Sequence, residues 1–160
     1  MAIKDILLLG NPDLYKISLP VDLTEPESLM PEINLMWDSI LDIRKTYGFG
    51  RAIAAPQIGL LKRIIAIYIN QAEVMINPVI LEKSDEMFEL WDDCMSFPNL
   101  LVKVKRHQWI KISYFDINWK QHEVTLENDM AELIQHEYDH LEGILATQRA
   151  IDNKSFRWKT

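Results

Sequence analysis

Asn128-Asp-Met-Ala-Glu-Leu-Ile-Gln-His136-Glu137-Tyr-Asp-His140-Leu-Glu142 is the stretch from which the rest of the chain can be organised. No proline or glycine interrupts it, and Gly143 follows directly, the residue type that most easily takes the positive φ of a helix stop. Within it, His136 and His140 are four positions apart, so their imidazoles lie one above the other on a single helix face. His-Glu-x-x-His presents two nitrogen ligands to one metal ion and sets a glutamate beside them to handle a proton. On a helical wheel Met130, Leu133, Ile134 and Leu141 define an apolar face, with His136 and His140 at its edge and Glu137 in its middle. Glu132, Gln135, Tyr138, Asp139 and Glu142 are expected to point the other way. A carboxylate centred in an apolar stripe is costly unless something pairs with it or uses it. The bland reading, a solvated histidine pair on a charged helix, does not explain that placement.

Two imidazoles leave a catalytic site one ligand short, because such sites usually hold three protein ligands and one open position. No histidine follows His140, and the nearest downstream acids, Glu142 and Asp152, are not at the spacing zinc peptidases use. The best remaining candidate is Cys94, the only cysteine, in Trp91-Asp-Asp-Cys-Met-Ser-Phe-Pro98. Taken alone it reads as a small buried hydrophobe. A single thiol also rules out an intrachain disulfide and fits a reducing compartment.

Upstream, residues 27–46 carry Ile33, Met36, Trp37, Ile40 and Leu41 at helical spacing, ended by Gly48 and Gly50. Ile6 to Leu9 reads as a short strand before an Asn11-Pro12-Asp13 turn. Arg63 to Asn70 reads as a buried strand, and Val74–Ile76 and Val79–Leu81 as two strands about a bend at Asn77-Pro78. Val102–Val104, Trp109–Phe115 and Glu123–Leu126 complete the strands, with a turn at Asn118. The expectation is one α+β domain over residues 1–160: antiparallel or mixed sheets around a central C-terminal helix, with one N-terminal amphipathic helix. A composition 48% apolar and 26% charged excludes disordered and fibrous classes. A net charge of -7 argues against nucleic acid, and Lys103, Lys105, Arg106 and His107 read as a solvated strand face. The apolar run Ile64–Ile69 is too short to span a membrane, and the apolar start of the chain is too short for a signal peptide. The expected location is cytoplasmic.

Three segments, in order, resemble the peptide deformylase family. Gly50-Arg51-Ala52-Ile53-Ala54-Ala55-Pro56-Gln57 is similar to its Gly-x-Gly-x-Ala-Ala-Pro-Gln motif. Asp92-Asp93-Cys94-Met95-Ser96 is similar to Glu-Gly-Cys-x-Ser, and Gln135 to Gly143 matches Gln-His-Glu-x-Asp-His-Leu-x-Gly throughout. The flanks Ile6 to Pro20 and Met75 to Lys83 extend the likeness over nearly the whole chain. The resemblance implies hydrolysis of the N-formyl group from N-formylmethionyl nascent peptides, with the ribosome as a place of encounter and formate as product. It also implies a divalent ion, Fe²⁺ in bacterial members with Zn²⁺, Ni²⁺ or Co²⁺ as substitutes, held by Cys94, His136 and His140. Glu137 would serve as general base and acid, with Gln57 and the Met95 backbone N–H holding the oxyanion. Gly50, Arg51, Ala52, Ile53, Asp93 and Leu133 would form the substrate groove, the peptide lying extended between two strand edges.

The departures from the family pattern fall on that groove. Ala52 replaces a glycine, Arg51 stands where an apolar residue is typical, Asp93 replaces a glycine beside Cys94, and Leu101 stands near a usual arginine. Arg51 and Asp93 are expected to form a direct or water-bridged ion pair across the groove, altering or reducing activity on formyl-methionyl peptides. Two readings compete: a zincin-type peptidase whose third ligand is not Cys94, and a non-catalytic metal-binding relative that binds ribosomes or formylated peptides.

Overall fold

The computed structural model describes residues 6–160. Among the described residues eight strands and two α-helices follow one another as α1 (Met30–Tyr47), β1 (Ala52–Ala54), β2 (Ile64–Tyr68), β3 (Ala72–Lys83), β4 (Met87–Asp92), β5 (Leu100–His107), β6 (Trp109–Phe115), β7 (Gln121–Glu127), α2 (Asn128–Leu141) and β8 (Phe156–Trp158). Their strands build a five-stranded sheet in the order β1-β2-β3-β6-β7 and a three-stranded sheet in the order β4-β5-β8, with antiparallel pairing throughout. The expected α+β architecture is the one found.

The absence of polar alternation in β2 has a direct cause. Its side chains point alternately to two buried faces: Ile64 and Ala66 meet Ile33, Met36, Ile40 and Ile43 of α1, while Ile65 and Ile67 meet Leu133, Ile134 and Leu141 of α2. The larger sheet is thus packed between the two helices. The smaller sheet covers the other side of α2, where the Gln135 amide both donates to and accepts from the His107 backbone of β5.

Several expectations change. Ile6 to Leu9 is not a strand; Leu7 N–H donates to Gln57 O and Leu9 N–H to Ser96 O, so the segment splits its bonds between two loops instead of one ladder. β3 runs unbroken through Asn77-Pro78, where a bulge and an Asn77 φ of 51° absorb the missing proline donor. Leu41 of α1 is exposed and Ile43 fills the core instead. Arg106 is buried rather than solvated, because it shares the inward face of β5 with Val102 and Val104. Glu132, Gln135 and Asp139 are buried too, since α2 is covered on both sides.

Gly143 ends the chemistry-bearing helix at φ +73°, and a Cβ there would lie 2.5 Å from Tyr15 O. A Gly143→Ala variant is expected to lose about 2–4 kcal/mol, from backbone strain plus steric overlap, in urea unfolding.

Candidate metal centre and catalytic cavity

Two elements deliver three ligand atoms to one point. α2 stacks His136 and His140 with ring centroids 5.1 Å apart. The turn leaving β4 brings Cys94 Sγ to 3.4 Å from His140 Nε2, and the ligand atoms of the three residues all lie within 4.8 Å of one another. All three side chains are buried. A thiol and two imidazoles suit a borderline divalent ion. Beside them Glu137 Oε1 is buried with no hydrogen-bond partner among the described residues, a polar vacancy that such an ion and its water would fill.

His136 is oriented from behind. Asp92 Oδ2 accepts from His136 Nδ1 at 2.8 Å, which leaves the opposite ring nitrogen for the ion. The same oxygen accepts from Arg106 Nη2 at 2.9 Å, Arg106 Nη1 donates to Asp139 Oδ2 at 2.7 Å, and Arg149 Nε donates to that oxygen at 2.8 Å. Burial pushes the Asp92 carboxyl up, but His136 and Arg106 outweigh it and hold the group at about 2. Burial and the neighbouring His136 push His140 well below the usual histidine range, keeping it in the neutral form that ligates. For His136 burial acts downward, yet Asp92 and Cys94 carry it well above that range. In the metal-free chain Glu137 is raised to about 7, chiefly by burial.

Gln57 is fixed at the same point. Its Oε1 accepts from Ala54 N–H at 3.0 Å, so its Nε2 turns toward Ser96 Oγ at 3.1 Å and Cys94 Sγ at 3.5 Å. A cavity of about 350 Å³ opens here, lined by Gly50, Arg51, Ala52, Gln57, Asp93, Cys94, Met95, Leu133, His136 and Glu137 among others. Ile53 is not among its walls. Alternation along β1 turns Ile53 into the core beneath α1, whereas Ala52 faces the α2 side in an ordinary extended strand that accommodates its methyl.

The expected Arg51–Asp93 pair does not form directly. Arg51 Nη2 bonds Glu132 Oε1 at 3.0 Å, with Asp129 at 3.7 Å, while Asp93 takes Lys159 Nζ at 3.5 Å. Asp139 reaches His136 through two intermediates, Arg106 and Asp92. The residues that sequence reading missed are Asp92 and Arg106, the buried pair behind His136, and Glu132 as a cavity wall. A period of two from Val102 and Val104 was the signal for Arg106.

The comparisons with known proteins come down on one side. The family model for polypeptide deformylase matches residues 3–156. The chain belongs to the polypeptide deformylase family. A peptide deformylase of Christiangramia forsetii is 36% identical, covering 92% of this chain and 81% of that protein. Among solved structures, peptide deformylase from Thermotoga maritima superposes with a TM-score of 0.84 at 32% identity, over 92% of this chain and 97% of that one. A class I type b peptide deformylase from Acinetobacter baumannii with K1U bound gives 0.83 at 31% identity, over 91% and 97%. Among the described residues no helix is long and apolar enough to cross a membrane.

Two outcomes follow for this deformylase fold. Asp92→Asn is expected to weaken metal binding by about 10- to 100-fold in competition against a chromophoric chelator. The second concerns pH. Burial, with Asp92 nearby, raises Glu132 from 4.5 to about 7, so between those values the folded chain keeps a proton that the unfolded chain has lost. Stability of the metal-free protein therefore falls as pH rises through that window, and Glu132→Gln should flatten that part of the decline in urea titrations at pH 5 and 7.5.

Proposed function

We propose that this chain hydrolyses the N-terminal formyl amide of nascent peptides and releases formate. The observation that carries the reading is the buried convergence of Cys94, His136 and His140 beside an unpartnered Glu137 oxygen at the base of an open cavity. A divalent ion held by those three residues supplies Lewis-acid activation of water near neutral pH. Glu137 takes the proton of the attacking water and delivers it to the departing amine, releasing the peptide with a free N-terminus. Gln57 Nε2, aimed by the Ala54 N–H, donates to the oxyanion that develops on the formyl oxygen, and the Met95 N–H is the second donor.

Substrate positioning follows from sheet edges. β1 ends the larger sheet and β4 ends the smaller one, and Ala52 and Asp92 from these two edges both line the cavity. An extended peptide between them pairs through its main chain, which makes the site tolerant of sequence away from the reacting end. We take Fe²⁺ as the resident ion, with zinc, nickel or cobalt able to substitute, and the cytoplasm, at the ribosome, as the place of action.

The competing peptidase reading needs a third ligand other than Cys94. Cys94→Ser therefore separates the two: loss of bound metal together with loss of formate release supports the deformylase, and retained metal with endopeptidase cleavage supports the other. In anaerobic assays on a formylated peptide, Glu137→Gln should keep its metal and lose about 10²- to 10⁴-fold in kcat/KM. A variant with full metal and undiminished formate release ends the role given to Glu137.

A further inference from the structure

A group held for attack at Cys94, His136 and Glu137 must project its substituents into the cavity those residues line. The wall of that cavity carries an ion pair. Arg51, just before β1, reaches Glu132 on α2 at 3.0 Å, and the Glu132 side chain is only 9% exposed. Apart from Glu137, whose oxygen is left for the reaction, the other charges lining the cavity already have partners. Arg44 donates to the carbonyls of Gly50 and Tyr68, Asp92 accepts from Arg106 and His136, and Asp93 meets Lys159. Glu132, by contrast, accepts through one oxygen from Arg51 and makes no other side-chain hydrogen bond among the described residues. Arg51 has a second acid at hand, exposed Asp129 at 3.7 Å.

An apolar side chain entering this cavity strips water from the pair and offers nothing in return. A side chain of similar length ending in N–H fills the spare acceptor capacity of Glu132, while Arg51 turns toward Asp129. Leu133 lines the same cavity and supplies apolar contact for the methylene stem. We propose, resting on the deformylase reading for the reaction itself, that Arg51 and Glu132 determine specificity here and select a formylated substrate whose first side chain ends in an N–H donor over the thioether of methionine.

The test uses formyl-X-Ala-Ser peptides with X as lysine, glutamine, norleucine, methionine or glutamate. Formate release is measured on the metal-loaded wild type, and affinity by calorimetry on the zinc-loaded Glu137→Gln protein. Lysine and glutamine are expected to exceed norleucine and methionine by roughly tenfold or more in both readouts. Glu132→Leu should invert that order, and the Arg51→Leu/Glu132→Leu double variant, which leaves no unpaired charge behind, should do the same even if the single variant folds poorly. Norleucine or methionine matching the donors in the wild type overturns the proposal, as does an order unchanged in the double variant or a preference for glutamate. Formate release with equal rates and affinities across the panel defeats the selectivity alone. Ranked affinities with no formate from any peptide uphold the selectivity and defeat the deformylase reading.

Discussion

One buried carboxylate holds the centre of this molecule together. Asp92 receives His136 from α2 and Arg106 from β5 on the same oxygen, while its own backbone ends β4. Arg106 carries the connection to Asp139, back on the helix, and Arg149 closes it from the segment after α2. Removing one member of such a buried set leaves a charge without compensation, a loss of about 3–5 kcal/mol. A well-packed apolar replacement of the whole set would be stable, but nothing in it would fix the ring of His136. The ionic chain is therefore best understood as a device of orientation, with stability as the condition it must not violate.

That device explains why the helix is enclosed. The larger sheet covers the apolar side of α2 with Ile65, Ile67, Ile110 and Ile112, and the smaller sheet covers its polar side with Arg106 and the His107 backbone. Water is thereby kept from Cys94, His136 and His140 except through the cavity, and every polar group on the covered side needs a protein partner. Gln135 illustrates the discipline: its amide makes three hydrogen bonds, to the backbone of His107 twice and of Ala131 once.

The helices and the convergence of Cys94, His136 and His140 were legible because their signals are local. A run without breakers, a pair of histidines four apart and a solitary cysteine can be read from neighbours in the chain. The polar side of α2 was not legible, because a helical wheel assumes one buried face and has no knowledge of a second sheet. β1, β4 and β8 are short or polar, and their status as strands depends on partners such as β2 and β5. Ile53 shows the limit of motif reading: within a matched segment, strand alternation sends one residue to the core and its neighbour to the site. Arg51 was assigned the wrong partner for a related reason, since the acid that meets it lies 81 positions away on α2.

Cys94 and His140 are 46 positions apart, with three strands and most of α2 between them. An ion joining them acts on the chain as a crosslink does, closing a long loop whose ends the unfolded polymer would seldom bring together. Such a tether would draw the smaller sheet onto the helix. Resistance to heat and to proteases would then be a function of how much free metal the surroundings offer.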